Sequence, residues 1–269
     1  LLRALSGYHT VDLISFVDLS PSESSMATVR RLCRNVETVQ HVPFDPGRFQ
    51  AMAGLLSAKP RSVVATNSDE LRALVGRYTG HNRYDVIVAS EIDMAPYVPA
   101  GATPAIFEEL ELTTLFEQYQ RAQDPLRRAR YGLTWWKLRY FLAEILQRFA
   151  ACTVVSEPEL VRLRHAVPSY RGQSAVIPNG VDVAHYAEYS ATPQPDTMIY
   201  SGAVTYRANY DAVDYFGREI LPLIREQRPA AELLVTGNPG PVNIGPLSRP
   251  GIRFAGYLPD VRPALAQSW

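Results

Sequence analysis

The chain has 269 residues, of which 46% are hydrophobic and 20% are charged, as is ordinary for a packed globular protein of one large or two modest domains. Its 27 lysines and arginines balance its 27 aspartates and glutamates, so no overall charge points to nucleic acid, and no nucleic-acid partner is expected. No apolar run approaches the roughly 20 residues that a membrane-spanning helix needs.

Several features of the sequence favour a cytoplasmic protein. Cys152 opens an apolar run and lies far from Cys33, so a buried free thiol is expected there rather than a disulfide. The sequence contains no N-glycosylation sequon, and it starts with neither a methionine nor a signal peptide.

Segments rich in β-branched residues alternate with helical patterns along the whole chain, which indicates an α/β protein with parallel sheets. The strand candidates are Val11–Val17, Tyr84–Ala89, Ala105–Phe107, Cys152–Val155, Ala175–Ile177, Thr197–Ser201, Glu232–Thr236 and Ile252–Phe254. The polar, proline-containing stretch between Asp182 and Asp196 shows no clear period, and a strand–helix–strand pattern begins again at Thr197. We therefore predict two Rossmann-like parallel-sheet domains, residues 1–185 and 195–269.

Two helix starts carry a capping-box pattern, in which the first side chain caps an amide and an acid reaches back to the helix start. The pairs are Asn67 with Glu70 and Ser156 with Glu159. Each pair predicts the N-terminus of a helix.

Both ends of the sequence indicate a longer protein. Leu1–Ser6 with Gly7 has the pattern of the last turns of a helix, and a parallel sheet normally has a strand before such a helix. The predicted helix Pro259–Ser268 has no strand after it, and the about 75 residues from 195 to 269 are few for a doubly wound unit. The first domain is therefore expected to lack its first strand, and the second domain to be incomplete.

A long helical pattern from Asp124 to Phe149 interleaves basic and aromatic residues, among them Arg130, Trp136 and Tyr140. Such a helix can pack its aromatic residues on the sheet and leave its arginines solvated. It can also lie on an anionic membrane surface. Apolar residues occur on most of its faces, which favours packing. Peripheral contact at the inner face of a membrane stays open as the alternative.

Glycines follow or end three predicted strands of the second domain. They are Gly202, Gly237 and Gly256, and a helix begins soon after the first of them. Such a glycine can serve a tight turn only, or it can let a phosphate approach amides at the positive end of a helix. Because the carboxyl ends of parallel strands share one edge, where open α/β sheets bind ligands, the three glycines together predict a binding edge. The five histidines show no metal-ligand spacing, so no metal is expected.

Five motifs in fixed order carry a resemblance to a known family. They are Val154-Val155-Ser156-Glu157, Pro178-Asn179-Gly180-Val181-Asp182, Gly202 through Asn209, Val235-Thr236-Gly237-Asn238-Pro239 and Gly256-Tyr257-Leu258-Pro259-Asp260-Val261-Arg262. Over essentially the whole chain, the sequence resembles the family-4 retaining glycosyltransferases, which have the GT-B fold. It looks most similar to bacterial sugar transferases of exopolysaccharide and cell-surface polysaccharide pathways.

The resemblance implies transfer of a sugar from a nucleoside diphosphate sugar to a glycan or lipid-linked acceptor, with retention and with no other cofactor. Amides of the Gly202 loop, the dipole of the following helix and Arg207 would stabilise the leaving diphosphate. The residues expected to bind the donor are Gly202, Arg207, Asn209, Gly237, Asn238, Gly256 and Tyr257.

In similar transferases, a first-domain loop facing the cleft carries a histidine or an acid that meets the acceptor or the reacting sugar. Glu108, Glu109 and Glu111 follow a strand and precede a helix, and they are the catalytic candidates; Ser90-Glu91 is a weaker case. Because a helix dipole also favours acids near its N-terminus, any one of these glutamates can serve the helix start alone.

Two departures from the family pattern leave alternatives open. Ala208 stands where a lysine often precedes the asparagine, so Arg207 is the cation at this position. The family's glutamate pair, spaced by seven residues, would lie beyond Trp269, and its first-domain glycine-rich loop before Leu1. The chain alone is therefore expected to be inactive. The alternatives are a nucleotide-sugar epimerase of the same fold and a non-catalytic sugar-nucleotide-binding or scaffold protein.

Overall fold

The computed structural model describes residues 1–17, 23–41, 57–101, 103–108 and 110–269. The chain divides into two compact units, Leu1–Asn179 (unit 1) and Gly180–Trp269 (unit 2). The division falls a few residues before the polar stretch that the sequence marks as a linker. That stretch contains a short helix, Val183–Ala187, whose first turn is capped by Asp182.

Unit 1 contains two parallel sheets. Strand β1 (Asp12–Val17) pairs with β2 (Asn35–Gln40). The second sheet has the order β3-β4-β5-β6, and its strands are Ile87–Ser90, Ala105–Glu108, Ala151–Val154 and Gln173–Val176. Every pair in this sheet is parallel, so the chain must cross back from the carboxyl end of one strand to the amino end of the next.

Helices make most of these crossings. The helices described in unit 1 are α1 (Leu2–Ser6), α2 (Glu23–Leu32), α3 (Arg61–Ala65), α4 (Asp69–His81), α5 (Thr113–Arg121), α6 (Pro125–Ile145) and α7 (Glu157–Ala166). Short 3₁₀ turns follow at Ala95–Tyr97 and Leu146–Arg148. Among the helices described, none is both long and apolar enough to cross a bilayer.

The core of unit 1 lies where α6 and α7 pack on the central strands. Phe107 of β4, Val154 of β5 and Leu142 of α6 are almost completely buried there. Cys152 is a buried free thiol, as expected, and its burial raises the pKa of the thiol to about 12. A thiol with so high a pKa stays protonated and packs as a small apolar side chain.

A strand forms at each predicted position, but two of them are displaced by two or more residues, and β2 is not predicted. The predicted strand Ala175–Ile177 is observed as Gln173–Val176. The predicted strand Tyr84–Ala89 is wrong at its start, because β3 begins at Ile87. The Tyr84 hydroxyl instead donates a hydrogen bond to Asp12 Oδ2 at 2.7 Å. The sequence does not predict β2 because this strand is mostly polar. It lies mostly at the surface, and only Val39 among its six residues is buried.

One of the two predicted capping boxes is wrong, and the other is half right. Ser68, not Asn67, is the N-cap of α4, and its hydroxyl accepts a hydrogen bond from the Leu71 amide at 3.1 Å. Ser156 does cap α7, since its hydroxyl accepts from the Glu159 amide at 3.4 Å. The carboxylate of Glu159, however, bonds the start of a different helix, α5.

Unit 2 contains one parallel sheet of order β7-β8-β9, and its strands are Thr197–Ser201, Glu232–Thr236 and Ile252–Gly256. Its helices are α8 (Val183–Ala187), α9 (Arg207–Tyr215), α10 (Leu221–Gln227) and α11 (Arg262–Gln267). Buried Val213 and Val235 join α9 to the sheet.

A π-helical turn, Phe216–Ile220, connects α9 to α10. Pro222, two residues after the end of this turn, explains it, because proline has no amide hydrogen and its ring clashes with the carbonyl four residues earlier. The wide turn therefore has a local cause in the sequence.

Candidate functional site

The strongest candidate site lies at the carboxyl edge of the sheet in unit 2. Strands β7, β8 and β9 are parallel, with one shift in the β8–β9 register between Val235 and Thr236, so the segments after their last residues meet at one edge. The structure brings together there the three glycines that the sequence singles out, Gly202, Gly237 and Gly256. Whether this edge binds a donor stays a prediction.

Gly237 joins the three loops physically. Its φ of +104° lies outside the range that side chains tolerate, and a Cβ there would lie 2.7 Å from Ala203 Cα. The amide of Gly237 donates a hydrogen bond to the Gly256 carbonyl at 2.8 Å. The backbone of the β8 loop thus touches both neighbouring loops, and only glycine permits this approach.

Asn209 holds the loop that follows β7. Its Oδ1 accepts a hydrogen bond from the Tyr200 hydroxyl at 3.0 Å, and its Nδ2 donates to the Ala203 carbonyl at 2.9 Å. A Cβ on Gly202 would approach Nδ2 to 2.8 Å, so this glycine makes room for the amide. Asn209 therefore positions the loop, whether or not it also contacts a ligand.

Arg207 is the first residue of α9, and its side chain is 80% exposed. Its guanidinium pairs with Asp211 at 2.8 Å and lies 5.3 Å from the ring centre of Tyr210. An exposed ion pair of this spacing contributes about 0.3–0.5 kcal/mol, so an incoming anion can displace Asp211. The N-cap, Tyr206, makes no side-chain cap, and the amides of Arg207 and Ala208 have no partner within the helix. The next amide, of Asn209, already donates to the Tyr206 carbonyl at 3.0 Å.

The other two predicted donor residues flank the same edge. Asn238 Oδ1 accepts a hydrogen bond from the Gly240 amide at 2.9 Å and so closes a tight turn after β8. Tyr257 is 72% exposed and directly follows Gly256, which has a φ of +69°. A flat aromatic ring beside glycine loops gives a base or sugar a surface to stack on.

The acidic candidates of unit 1 fall into different surroundings. Glu108 is the last residue of β4 and accepts a hydrogen bond from the Ser90 hydroxyl. Ser90 and Glu91 line a cavity of about 560 Å³ between β1 and β3, and Glu91 has a φ of +68°. Glu109 lies outside the described residues. Glu111 accepts from the Thr114 hydroxyl in the first turn of α5, so its contact serves the helix start.

Sequence reasoning missed the role of Glu159 beside these acids. Its side chain is buried, and its two oxygens accept hydrogen bonds from the amides of Leu112 at 2.9 Å and Thr113 at 2.8 Å. Arg162 adds a bond from Nε to the Thr113 hydroxyl at 3.1 Å. This arrangement fixes where α5 begins and therefore where the acidic segment lies.

A second polar cluster lies at the amino end of β1, away from the ligand edge of a parallel sheet. Arg34 bonds both carboxylate oxygens of Asp12, and Asn35 and Tyr84 also donate to Asp12. The Arg34 bond is the main cause that lowers the pKa of Asp12 to about 2. The position and full pairing of this cluster indicate a structural role. Among the described residues, no group of three or more acids, histidines or cysteines lies close enough together to hold a metal ion.

No protein-family model matches the chain, and no curated protein matches it. Solved glycosyltransferase structures do match. TarM has 11% sequence identity and a TM-score of 0.52 over 76% of this chain and 40% of its own. A UDP-glucosyltransferase from Polygonum tinctorium, which glucosylates indoxyl, has 13% identity and a TM-score of 0.47 over 96% of this chain and 67% of its own.

These likenesses concern the fold. The chain spans 40% of the length of TarM, and the TM-score of 0.47 for the plant enzyme is too low to support an argument by itself. The parallel sheets and the likeness to TarM agree in one architecture. The α/β fold of the chain matches that of the GT-B glycosyltransferases.

Proposed function

We propose that this chain belongs to a retaining, family-4-type glycosyltransferase that moves a sugar from a nucleoside diphosphate sugar to a glycan or lipid-linked acceptor. The observation that carries the proposal is the joined edge of unit 2. There, Gly237 contacts Ala203 and bonds Gly256, beside the uncapped start of α9. The nucleotide sugar is a co-substrate, and no further cofactor is proposed.

The chemistry requires positive charge at the leaving group. When the bond between the anomeric carbon and the phosphate oxygen breaks, the diphosphate gains charge, and the acceptor hydroxyl loses its proton as the new glycosidic bond forms. The first amides of α9 and the dipole of that helix favour an anion at its start. Arg207 adds a full charge there, and Asn209 keeps the loop in place.

On the acceptor side, Glu108 is the best-supported of the three acids as a group that contacts a sugar or takes up a proton. It ends a strand, and the serine to which it bonds lines a cavity. Glu111 is engaged at the start of α5, which favours a structural role. Glu109 stays a sequence-based candidate.

The experiment measures binding of UDP, GDP, ADP and dTDP by calorimetry, using the full-length product of the gene that encodes this chain. Arg207→Ala removes one charge-assisted contact, so the Kd of the preferred nucleotide should rise about 10- to 150-fold. Arg218→Ala is the matched control, because Arg218 is also exposed and ion-paired in unit 2 but lies in the π-helical turn. Equal affinities for the two variants would remove Arg207 from the site.

Turnover separates the three functions. A transferase consumes the acceptor and donor together, and NMR of the product shows whether the anomeric configuration is retained. An epimerase changes the sugar without consuming an acceptor. If the full-length protein binds nucleotide tightly and turns over no donor with any glycan or lipid acceptor, the non-catalytic alternative replaces the proposal. This alternative is worth testing because Ala208 stands where similar transferases often have a lysine, which leaves Arg207 as the cation at this position.

A further inference from the structure

Two of the motifs noted in the sequence end at Asp182 and at Arg262, and they meet at the short helix α8. Asp182 Oδ1 accepts a hydrogen bond from the His185 amide at 3.0 Å, which caps the helix. Arg262 Nη1 donates to the His185 carbonyl at 3.0 Å and lies 3.2 Å from the ring nitrogen Nδ1. The fold thus joins residues 77 positions apart at one short helix.

Arg262 is the first residue of α11, and its guanidinium has acceptors on two sides. On one side it forms a bidentate pair with Asp260, from Nε to Oδ1 at 2.9 Å and from Nη2 to Oδ2 at 2.8 Å. On the other side Nη1 reaches α8, where it also pairs with Glu188 at 3.3 Å. A guanidinium can form both contacts because its donors lie in a flat fork, whereas the ammonium of a lysine is a single point of charge.

These contacts make Arg262 different from Arg207, the proposed ligand of the diphosphate. The Arg262 side chain is 20% exposed, and that of Arg207 is 80% exposed. Two carboxylates match the charge of Arg262, and its hydrogen bond is the main cause that lowers the pKa of Asp260 to about 2. An anionic ligand would have to displace both acids to reach Arg262. Its contacts therefore serve to hold protein segments together.

The segment that Arg262 holds is residues 257–261, which we call the β9 loop. The loop follows Gly256, whose carbonyl is hydrogen-bonded to the loop after β8. In the part of the chain that the structure describes, no hydrogen bond engages the backbone of the β9 loop before Asp260. The loop is therefore fixed at its two ends, at the sheet and at the Arg262 contacts. Tyr257, with 72% of its surface exposed, lies between these two points.

We propose that Arg262 is a positioning residue of the donor edge, which places the ring of Tyr257 by clamping the β9 loop to helix α8. Losing the clamp would release the far end of the loop but leave the strands and the start of α9 in place. The inference rests on the proposed binding of a nucleoside diphosphate at this edge. It predicts that Arg207 acts on the diphosphate and that Arg262 acts, through Tyr257, on the nucleoside.

The alternative is that the clamp serves only the stability of unit 2. A loss of stability lowers the fraction of molecules that can bind, and the apparent affinity for every ligand of the edge then falls by the same factor. A misplaced aromatic ring weakens only those ligands that contact it. Two ligands, one with and one without a nucleoside, therefore distinguish the two roles.

The first test uses calorimetry on the full-length protein with the preferred nucleoside diphosphate and with inorganic pyrophosphate. Stacking of a base on an aromatic ring is worth about 5- to 150-fold in affinity. Arg262→Ala displaces the ring without removing it, so the Kd of the nucleotide should rise about five- to 20-fold and that of pyrophosphate less than about twofold. Arg253→Ala is the matched control and should change neither, because Arg253 is an ion-paired arginine of β9 whose partner, Glu232, lies on the next strand.

The second test asks whether Arg262 acts through Tyr257. Tyr257→Ala removes the ring and leaves the clamp intact, so it should weaken nucleotide binding at least as much as Arg262→Ala. The double variant should bind no more weakly than Tyr257→Ala alone, because the two changes remove the same contact. Arg262→Lys keeps the charge but not the fork, so it should behave as Arg262→Ala does, and it replaces that variant if alanine prevents folding.

Hydrogen exchange shows whether the clamp opens without unfolding the sheet. The amides of Tyr186 and Glu188 are hydrogen-bonded within α8 and should exchange faster in Arg262→Ala. Exchange at β8 should stay as it is in the unchanged protein.

Three results would overturn the inference, and they separate it from the proposed function. If the unchanged protein binds neither ligand, the proposed function fails and the inference fails with it. If the unchanged protein binds the nucleotide and both Arg262 variants bind it equally well, the inference alone fails. Equal losses of nucleotide and pyrophosphate affinity would assign Arg262 to the stability of unit 2.

Discussion

Replacing Gly237 by alanine tests whether the joined edge of unit 2 depends on backbone contact. Alanine at Gly237 meets two problems: a φ of +104° and a Cβ that would lie 2.7 Å from Ala203 Cα. Gly256 is the matched control, since its φ is +69° but nothing lies within 4 Å of an added Cβ. Gly180 has neither problem and serves as the neutral reference.

The expected magnitudes follow from these differences. A left-handed conformation costs an alanine about 1–2 kcal/mol, and the stiffer unfolded chain offsets about 0.4–1 kcal/mol of this. Gly256→Ala should therefore destabilise unit 2 by about 0.5–1 kcal/mol. At Gly237 the clash adds about 1–3 kcal/mol, as overpacking does, because the atom that must move belongs to the backbone. The total for Gly237→Ala is about 2–4 kcal/mol.

Hydrogen exchange at β8 measures the opening free energy of unit 2 by itself. Gly237→Ala should speed exchange there, and the nucleotide affinity of the protein should fall as the Ala203 loop is displaced. Gly256→Ala should cost less stability. A difference between the two variants of under about 0.5 kcal/mol would mean that the close approach to Ala203 does not constrain the edge.

Three further predictions concern single side chains. Asp211→Asn frees Arg207 from its ion pair, so calorimetry should show nucleotide binding about twofold tighter or better, and weaker binding would refute the role given to Arg207. Glu159→Ala leaves two amides at the start of α5 without acceptors, so urea unfolding should show a loss of about 2–4 kcal/mol, whereas exposed Glu157→Ala should cost under about 1 kcal/mol. Asp12 has a folded pKa of about 2 against an ordinary 3.8, and its side chain is 3% exposed. Its contribution of about 2 kcal/mol is present above pH 4 and should disappear as the pH falls to 2, and Asp12→Asn should remove this part of the pH dependence.

The features that the sequence predicts well have local causes. Strand-end glycines at 202, 237 and 256 are visible because a parallel strand must end before its helix begins, and tight approaches there need glycine. The start of α7 at Ser156 is visible because a cap acts on the amide three residues later. Most strands of the three sheets are found in the same way, from short apolar runs between turns.

The features that the sequence does not predict depend on contacts between residues far apart in the chain. Glu159 has the spacing of a capping box, yet its hydrogen bonds go to amides 46 and 47 residues earlier. Ser68 outcompetes Asn67 as a cap, a choice of one residue that sequence patterns rarely resolve. The Tyr97 hydroxyl accepts from the Ser68 amide at 2.8 Å, a contact across 29 residues that helps to fix this start.

The same difference between local patterns and contacts far apart in the chain explains why the donor side of the proposed site is better defined than the acceptor side. Backbone amides, helix ends and glycines recognise a diphosphate through geometry that is common to many α/β proteins, so their positions can be inferred from local patterns. Recognition of an acceptor depends on side chains such as Glu108, whose hydrogen bond to Ser90 joins residues from two different strands. The three neighbouring glutamates look equivalent in the sequence, but Glu108 ends a strand beside a cavity and Glu111 is held at a helix start. Mutating these two separately is therefore more informative than mutating the acidic segment as a whole. If Glu108→Gln abolishes transfer and leaves nucleotide affinity intact while Glu111→Gln does neither, the acid that acts on the acceptor is the one placed by the strand.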